Sequence, residues 1–522
     1  MRDKPSNVLF IITDQHRADH VGFMGNTVVR TPQLDALAAR GTVFEQAWVA
    51  NPVCMPNRCS ILTGRMPSAH GVIFNDRSLD PGSNTFVRRF RKSGYRTALI
   101  GKSHLQHGMS QNAVLAHRGE PAQSLPYAQG WDHLEDPDRY YDERPREFGD
   151  FYGFDHVELA IDHGARVSGH HYWWALDKGA DPAHLKVRYD QSAPGNHRSE
   201  HWWQIYQPPY EERFHSTRFV AERTEAFIEQ AVADDTPWLA WCSFPDPHHP
   251  MTPPGDWFFR HKPEDMVLPD SRHDTLADAP AHLRHAASIH PQDQREWVAP
   301  CGYGNDELLR EAIAATYGMV EMIDDGVGRV LSCLERLGVE KNTIVVFTSD
   351  HGDMMGEHGL FLKGFMHYRG TLQVPMVVAA PGLKPGRTNA LASSMDLGPT
   401  LLELCDLAGY DGIQGRSLAP VLNDHGSAVR DSLLIEDDAV EILEHLTPIP
   451  CRTRTLVTAS GHRYTRNSKG EEQLFDLHAD QDEMQDLKAS ETTLRLQMVE
   501  RLADTMMAVG DSARGAPAAE SM

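Results

Sequence analysis

The sequence contains no apolar run long enough to cross a bilayer, so a helical membrane protein is not expected. Its beginning, Met1 to Asn7, passes directly into a short apolar stretch without a cleavable signal pattern, and a cytoplasmic location is expected. Cysteine is scarce and unpaired in its spacing. The seven cysteines are an odd count scattered along the chain, which argues against a disulfide framework and agrees with a reducing compartment. Cys59, Cys242, Cys301, Cys333, Cys405 and Cys451 read as structural thiols. Positive charge is also in deficit: 50 Lys and Arg against 73 Asp and Glu leave a formal charge of -23. Nucleic acid and anionic membrane, which rely on positive surface, are therefore not expected as partners. An anionic substrate must meet local positive charge in a pocket. No internal repeat is evident.

At 522 residues, the chain is long enough for a large domain and a smaller one. Val8 to Ile12 is a short apolar run that reads as a buried parallel strand, followed by Thr13-Asp14-Gln15 at its carboxyl end. Ligands of open α/β sheets gather at that end. The β-branched run Thr343 to Thr348 repeats the pattern and delivers Ser349-Asp350-His351-Gly352. Thr85 to Ser93 reads as a helix, with a glycine stop and a strand that ends in Gly101-Lys102-Ser103-His104. A helix around Phe219 to Ala233 leads into the strand Trp238 to Trp241 and then Pro247-His248-His249-Pro250. This alternation predicts an α/β fold with a mainly parallel sheet and helices on both faces. Between about Gln106 and Arg213 the sequence turns irregular and aromatic, with Trp131, Tyr140, Tyr141, Tyr152, Trp173, Trp174, Trp202 and Trp203. An insertion packed on the core or a subunit contact is expected there, and a pocket wall is the sharper alternative. Residues 510–522, rich in Gly, Ala, Ser and Pro, are expected to form a mobile tail.

One segment carries more chemistry than any other: Cys54-Met55-Pro56-Asn57-Arg58, continuing through Cys59-Ser60-Ile61 to Leu62-Thr63-Gly64-Arg65. With the strand-end residues above, it resembles the type I sulfatases and their relatives the phosphonate monoester hydrolases, within the alkaline phosphatase superfamily. The resemblance runs nearly end to end. It implies an alkaline-phosphatase-like catalytic domain over residues 1–385, with an irregular insertion at about 106–213. It also implies a smaller C-terminal subdomain with an antiparallel sheet over 386–509, where Ser394 to Leu402 and Leu474 to Leu477 match.

A sulfate ester resists water, so a nucleophile must be activated and the covalent intermediate must then be broken. The C-x-P-x-R core marks a sulfatase cysteine for oxidation to formylglycine, which would make Cys54 the catalytic residue. One hydroxyl of the hydrated aldehyde would attack sulfur, and the other would lose its proton to expel sulfate. Arg58 would hold the aldehyde side chain by a charge-assisted hydrogen bond. Asn57 departs from the Ser commonest at that place. By the same resemblance, Lys102 contacts the diol and the sulfate, while His104 assists removal of the second hydroxyl's proton. His248 contacts and protonates the leaving-group oxygen, with His249 as its neighbour, and Lys363 clamps the remaining sulfate oxygens. Asn75 adds a hydrogen bond to the substrate or serves its turn. Arg58, Lys102, Lys363 and the metal would supply the positive field.

Asp14, Asp350, His351 and the hydrated Cys54 derivative would form a divalent metal site, with Gln15 as a further ligand. Many sulfatases place a second Asp where this chain has Gln15 and an Asn where it has His351. The imidazole shifts preference toward manganese or zinc, with calcium less favoured. The expected activity is hydrolysis of sulfate monoesters, aryl sulfates above all. The alternative is a phosphonate monoester or phosphodiester hydrolase with crossover to sulfates, since Gln15 and His351 are that pattern while Lys102 and His104 are the sulfatase one. A binder that has lost its chemistry is disfavoured by the complete set of candidate groups. An alkaline phosphatase with an unmodified hydroxyl is disfavoured by Cys54. Expected partners are a small-molecule sulfate or phosphonate ester, a formylglycine-generating enzyme during maturation, and further copies of the chain in a homo-oligomer.

Overall fold

The computed structural model describes residues 6–75, 77–107, 127–128, 130–186, 197–294, 300–439 and 449–510. The strand Asn7–Thr13 lies inside a nine-stranded sheet, between Thr343–Ser349 and Trp238–Ser243. Val8, Phe10 and Ile12 join the core on one face, and Leu9 and Ile11 the core on the other. Both faces are therefore apolar and both are covered. Helices Pro32–Ala39, Ser216–Ala233 and Asp306–Arg336 cover one, and Cys54–Thr63, Phe86–Lys92 and Leu397–Leu404 the other.

From one edge to the other, the strands are Gly386–Thr388, Thr42–Phe44, Met376–Ala379, Thr343–Ser349, Asn7–Thr13, Trp238–Ser243, Arg96–Gly101, His156–Ile161 and Ser168–Gly169. The five from Thr343–Ser349 to His156–Ile161 are parallel. Asp14, Lys102 and Asp350 consequently leave the sheet along one carboxyl edge, where the α/β architecture concentrates ligand contacts.

The stretch expected to be irregular between 106 and 213 departs from that expectation. It contributes His156–Ile161 as a parallel strand of the main sheet and contains the helix His170–Asp177. His156, Val157 and Glu158 are only half-buried because the strand lies near the rim, so it lacks the apolar run of the inner strands. The segment meets the main body through aromatic contacts: Trp202 stacks on Phe361 at 4.9 Å, and Trp174 meets Phe219 edge-on at 5.4 Å. Its residues 108–126, 129 and 187–196 lie outside the described set.

The division placed at 385 is crossed. Gly386–Thr388 pairs with Thr42–Phe44 in the main sheet, and Leu397–Leu404 belongs to a helix layer of the main body. A three-residue strand has no hydrophobic period by which it could be read. The separate antiparallel sheet comprises Ser432–Asp438, Arg452–Thr458, His462–Asn467 and Glu472–Asp476. Leu434, Leu456, Tyr464 and Leu474 pack with Met498 and Leu502 of the last helix, Thr492–Gly510. Leu433, Ile435, Val457 and Phe475 join the core of the main domain. The expected tail lies, beyond Gly510, outside the described residues. Cys54, Cys59, Cys242, Cys301 and Cys333 are free thiols, all buried, and among the described residues no helix is long and apolar enough to cross a membrane.

Candidate active site

Backbone hydrogen bonds hold the strand ends together. Asp14 donates its N–H to the Asp246 carbonyl at 3.1 Å, Asp350 to Thr13 at 3.2 Å, and Lys102 to Ser243 at 3.0 Å. Gly101, just before Lys102, has a φ of 105°, and a Cβ there would overlap the Ser243 carbonyl oxygen. Glycine is the residue that permits this approach.

Cys54 is the first residue of the buried helix Cys54–Thr63, whose preceding residue, Val53, supplies no side-chain cap. The sulfur therefore sits where helix N–H groups and dipole favour negative charge. The Asn75 side-chain oxygen accepts from the Met55 N–H at 3.3 Å. Asn57 accepts from the Ala50 N–H at 3.0 Å and the Ser394 hydroxyl at 2.9 Å, and donates to the Asp350 carbonyl. Its departure from serine thus bridges three segments around the site. Arg58 is fully buried. Its Nε donates to Asp350 Oδ2 at 2.7 Å, its Nη1 to Ser243 Oγ at 2.9 Å and to the Lys102 carbonyl at 3.1 Å, and its Nη2 lies 3.5 Å from Asp14 Oδ2. Burial opposes this charge, but Asp350 and Asp14 outweigh it and keep the guanidinium protonated.

Donor atoms of Asp14, Cys54, Asp350 and His351 all lie within 4.8 Å of one another. The His351 Nδ1–H donates to the Gly352 carbonyl at 2.8 Å, which leaves Nε2 as the lone-pair nitrogen. Among the described residues that nitrogen is buried without a hydrogen-bond partner, 3.6 Å from both Asp14 Oδ1 and Asp350 Oδ1, and Asp14 Oδ1 is likewise unpartnered. Two orphaned buried acceptors are costly, and a cation between them satisfies both. Burial and Lys363 lower the proton affinity of His351, but Asp350 and Cys54 raise it further, so the local field favours a cation. The donor set fits a divalent metal ion. Gln15 adjoins it: the backbone N–H donates to Asp350 Oδ1 at 3.1 Å, and the side-chain oxygen accepts from His249 Nδ1 at 3.0 Å. Its amide nitrogen donates to Asp353, whose Oδ1 also accepts from Leu362 at the start of the Lys363 turn.

Two ammonium groups close over this set. Lys363 Nζ lies 3.2 Å from Cys54 Sγ and contacts His248 Nε2, while Lys102 Nζ contacts the Asp14 carboxylate and His163 Nε2. Burial raises the Cys54 thiol, yet Lys102 and Lys363 outweigh it and hold it well below the usual range. Burial, followed by His163 and Lys363, pushes the His248 imidazole well below its ordinary value. His248 stacks on His163 at 3.7 Å between centroids and on His249 at 4.0 Å.

Asp14, Cys54, Arg58, Lys102, His248, Asp350, His351 and Lys363 are thus brought together, with Gln15 and Asn75 beside them. His104 stands further out. Its N–H donates to Glu135 at 2.6 Å, its ring lies 6.4 Å from His163, and its buried Nδ1 has no hydrogen-bond partner among the described residues. Sequence reading missed His163, which belongs to no recognised pattern. The available signal was positional: His163 follows the strand His156–Ile161 just as Asp14, Lys102 and Asp350 follow theirs.

The sulfatase family model matches residues 6–407, and the model of the N-sulphoglucosamine sulphohydrolase C-terminal region matches 356–509. The chain belongs to the sulfatase family. It is a sulfuric ester hydrolase, and sulfatases generally use a metal ion and formylglycine. Over 493 residues this sulfatase is 30% identical to an arylsulfatase of Clostridium perfringens, covering 93% of this chain and 90% of that protein. It is 25% identical over 496 residues to a choline-sulfatase of Rhizobium meliloti, covering 92% and 82% respectively. The crystal structure of a phosphonate monoester hydrolase of Agrobacterium radiobacter superposes with a TM-score of 0.76 at 23% identity, covering 97% of this chain and 96% of that one. The last likeness concerns the fold alone.

Proposed function

We propose that this sulfatase hydrolyses sulfate monoesters of aryl alcohols with formylglycine, made from Cys54, as its nucleophile. The observation that carries the reading is the convergence of Cys54 with Lys102, Lys363, Arg58 and the Asp14, Asp350 and His351 donor set at one sheet edge, where Asp14 Oδ1 and His351 Nε2 are orphaned among the described residues. A formylglycine-generating enzyme acting in the cytoplasm is the maturation partner in this reading. His351 favours manganese or zinc over calcium, because calcium prefers oxygen ligands.

Asp14, Asp350 and His351 would hold a divalent metal, which would supply Lewis-acid chemistry: a lower pKa for the attacking hydroxyl and withdrawal of charge from the transferred group. Arg58 keeps the Cys54-derived side chain in place, and Lys102 and Lys363 hold the non-bridging oxygens. As the new oxygen–sulfur bond forms, the bond to the leaving oxygen breaks and His248 protonates that oxygen. The free site holds His248 neutral; an anionic ester adds the negative charge that restores its proton affinity. In the second half, the remaining hydroxyl gives up its proton, the carbonyl re-forms and sulfate departs. His104, with its unpartnered Nδ1, is the acceptor assigned to that proton.

A phosphonate monoester hydrolase with crossover to sulfates is the second reading, favoured by Gln15 beside His351. Peptide mass analysis around Cys54, combined with rates on a matched aryl sulfate and aryl phosphonate, tests both. An unmodified Cys54 in fully active enzyme removes the formylglycine mechanism. Faster turnover of the phosphonate selects the second reading.

A further inference from the structure

His163 touches two separate parts of the site. Its Nε2 is in contact with Lys102 Nζ and lies 3.7 Å from Asp14 Oδ2, and its ring stacks on His248 at 3.7 Å with the planes 17° apart. Both relationships are anchored from outside the site. His163 donates its N–H to Asp162 Oδ1 at 2.9 Å, and Asp162 Oδ2 is held by Arg166 at 2.9 Å. Arg166 is tied in turn to the Tyr141 hydroxyl at 3.2 Å and to Asp138 at 2.8 Å. The next residue, Gly164, has a φ of 62°, and a Cβ there would stand 2.9 Å from the Pro250 ring. The backbone of this loop is therefore pressed against the Pro247-His248-His249-Pro250 turn, and the close approach depends on glycine.

We propose that His163 is a positioning residue: it accepts a hydrogen bond from Lys102 to fix that ammonium group, and its ring fixes the plane of His248. The proposal rests on the roles assigned above to Lys102 at the transferred group and His248 at the leaving oxygen. Through Arg166, Asp162 and His163, the segment between the strands Arg96–Gly101 and Trp238–Ser243 sets the geometry of both. Lys102 lies just past the end of the strand Arg96–Gly101, and besides the His163 ring its ammonium group contacts the Asp14 carboxylate. A second imidazole packed face to face restricts His248 to rotations within one plane, which keeps its proton aimed at a single place.

The two contacts are separable by substitution in the full chain. His163→Gln keeps an acceptor for Lys102 but removes the ring, whereas His163→Phe keeps the ring and removes the acceptor. Both are assayed, with His163→Ala, on substituted phenyl sulfates whose phenols span a range of acidity. His163→Phe is expected to lower kcat nearly evenly across the series. His163→Gln is expected to slow esters of weakly acidic phenols more than the others, steepening the dependence on leaving-group pKa. His163→Ala is expected to combine both effects, with a loss on the order of 10- to 100-fold. In a His248→Ala background, adding His163→Ala is expected to steepen the slope no further.

Rates within about two-fold of the parent for all three variants would overturn the proposal. So would equal slopes in the Phe and Gln variants, or a full extra slope change in the His248→Ala background. Should His163→Ala fail to fold, the Phe and Gln pair still decides it. The unsubstituted enzyme separates this from the parent reading: if it turns over phenyl phosphonates and not phenyl sulfates, the sulfatase reading fails, and the same comparison on phenyl phosphonates tests His163.

Discussion

Lys363 places its Nζ 3.2 Å from the Sγ of Cys54. The turn that carries it is held from two sides: the Leu362 N–H donates to Asp353 Oδ1 at 3.1 Å, and the Phe365 N–H to Asp437 Oδ2 at 3.1 Å. Asp437 lies in the strand Ser432–Asp438. The small C-terminal sheet therefore does more than pack beside the catalytic body, because it fixes one of the two ammonium groups over the cysteine.

Replacing Cys54 removes the side chain from which the nucleophile is made. Cys54→Ala and Cys54→Ser are expected to lower kcat by about 10⁴-fold or more. The thermal midpoint should stay close to that of the parent, since both replacements are small and the helix keeps its other buried contacts. Turnover and circular dichroism on the same preparations check this, and near-normal turnover in Cys54→Ala would defeat the mechanism.

Chelation is expected to abolish activity, with manganese or zinc restoring it better than calcium. The unpartnered Nε2 of His351 is the reason. His351→Asn replaces nitrogen by an oxygen donor and should shift reactivation toward calcium. Metal analysis of the purified protein and reactivation titrations measure the preference. Purified protein loaded with calcium alone would count against it.

Stability should fall in mild acid, and His171 is one identifiable source. Burial lowers its pKa from the ordinary 6.5 to about 4, against the opposing effect of its hydrogen bond to the Phe214 carbonyl at 2.7 Å. Because the folded value is the lower one, the unfolded chain binds more protons in between. The stability is present above about pH 6.5 and is lost as pH falls toward 4. Between pH 7 and pH 5 this one group accounts for about 2 kcal/mol. His171→Phe keeps a ring against Phe219 and should flatten the pH dependence by roughly that amount, even if it is less stable at pH 7. Urea unfolding at the two pH values reads the difference, and parallel profiles for the two proteins would refute the assignment.

The inner strands were legible because Val8 to Ile12 and Thr343 to Thr348 are buried on both faces and so carry unbroken apolar runs. Their ends, Asp14 and Asp350, followed directly. His156–Ile161 was not legible, since its half-buried rim position allows His and Glu in the strand, and His163 was lost with it. Asp353 and Asp437 were invisible for another reason. Their partners lie far away in sequence, at Gln15 and Phe365, and no local period marks a carboxylate buried by such contacts.

His248 and the two lysines should separate by their response to the leaving group. His248 is assigned to the bridging oxygen, where negative charge develops as the bond to sulfur breaks. A phenol of low pKa carries that charge unaided, whereas a weakly acidic phenol needs the proton. His248→Ala is therefore expected to slow esters of weakly acidic phenols by on the order of 10²- to 10⁴-fold and esters of strongly acidic ones far less. Lys102 and Lys363 are assigned to the non-bridging oxygens, whose charge depends little on which alcohol departs. Their alanine variants should lower rates across the series nearly evenly. The His248 ring also contacts Lys363, so part of the His248→Ala loss will be even as well. The slope of log kcat/KM against leaving-group pKa isolates the proton-transfer part from that common loss. An unchanged slope in His248→Ala would remove its role as the acid and leave the enzyme a sulfatase whose leaving group departs by another route.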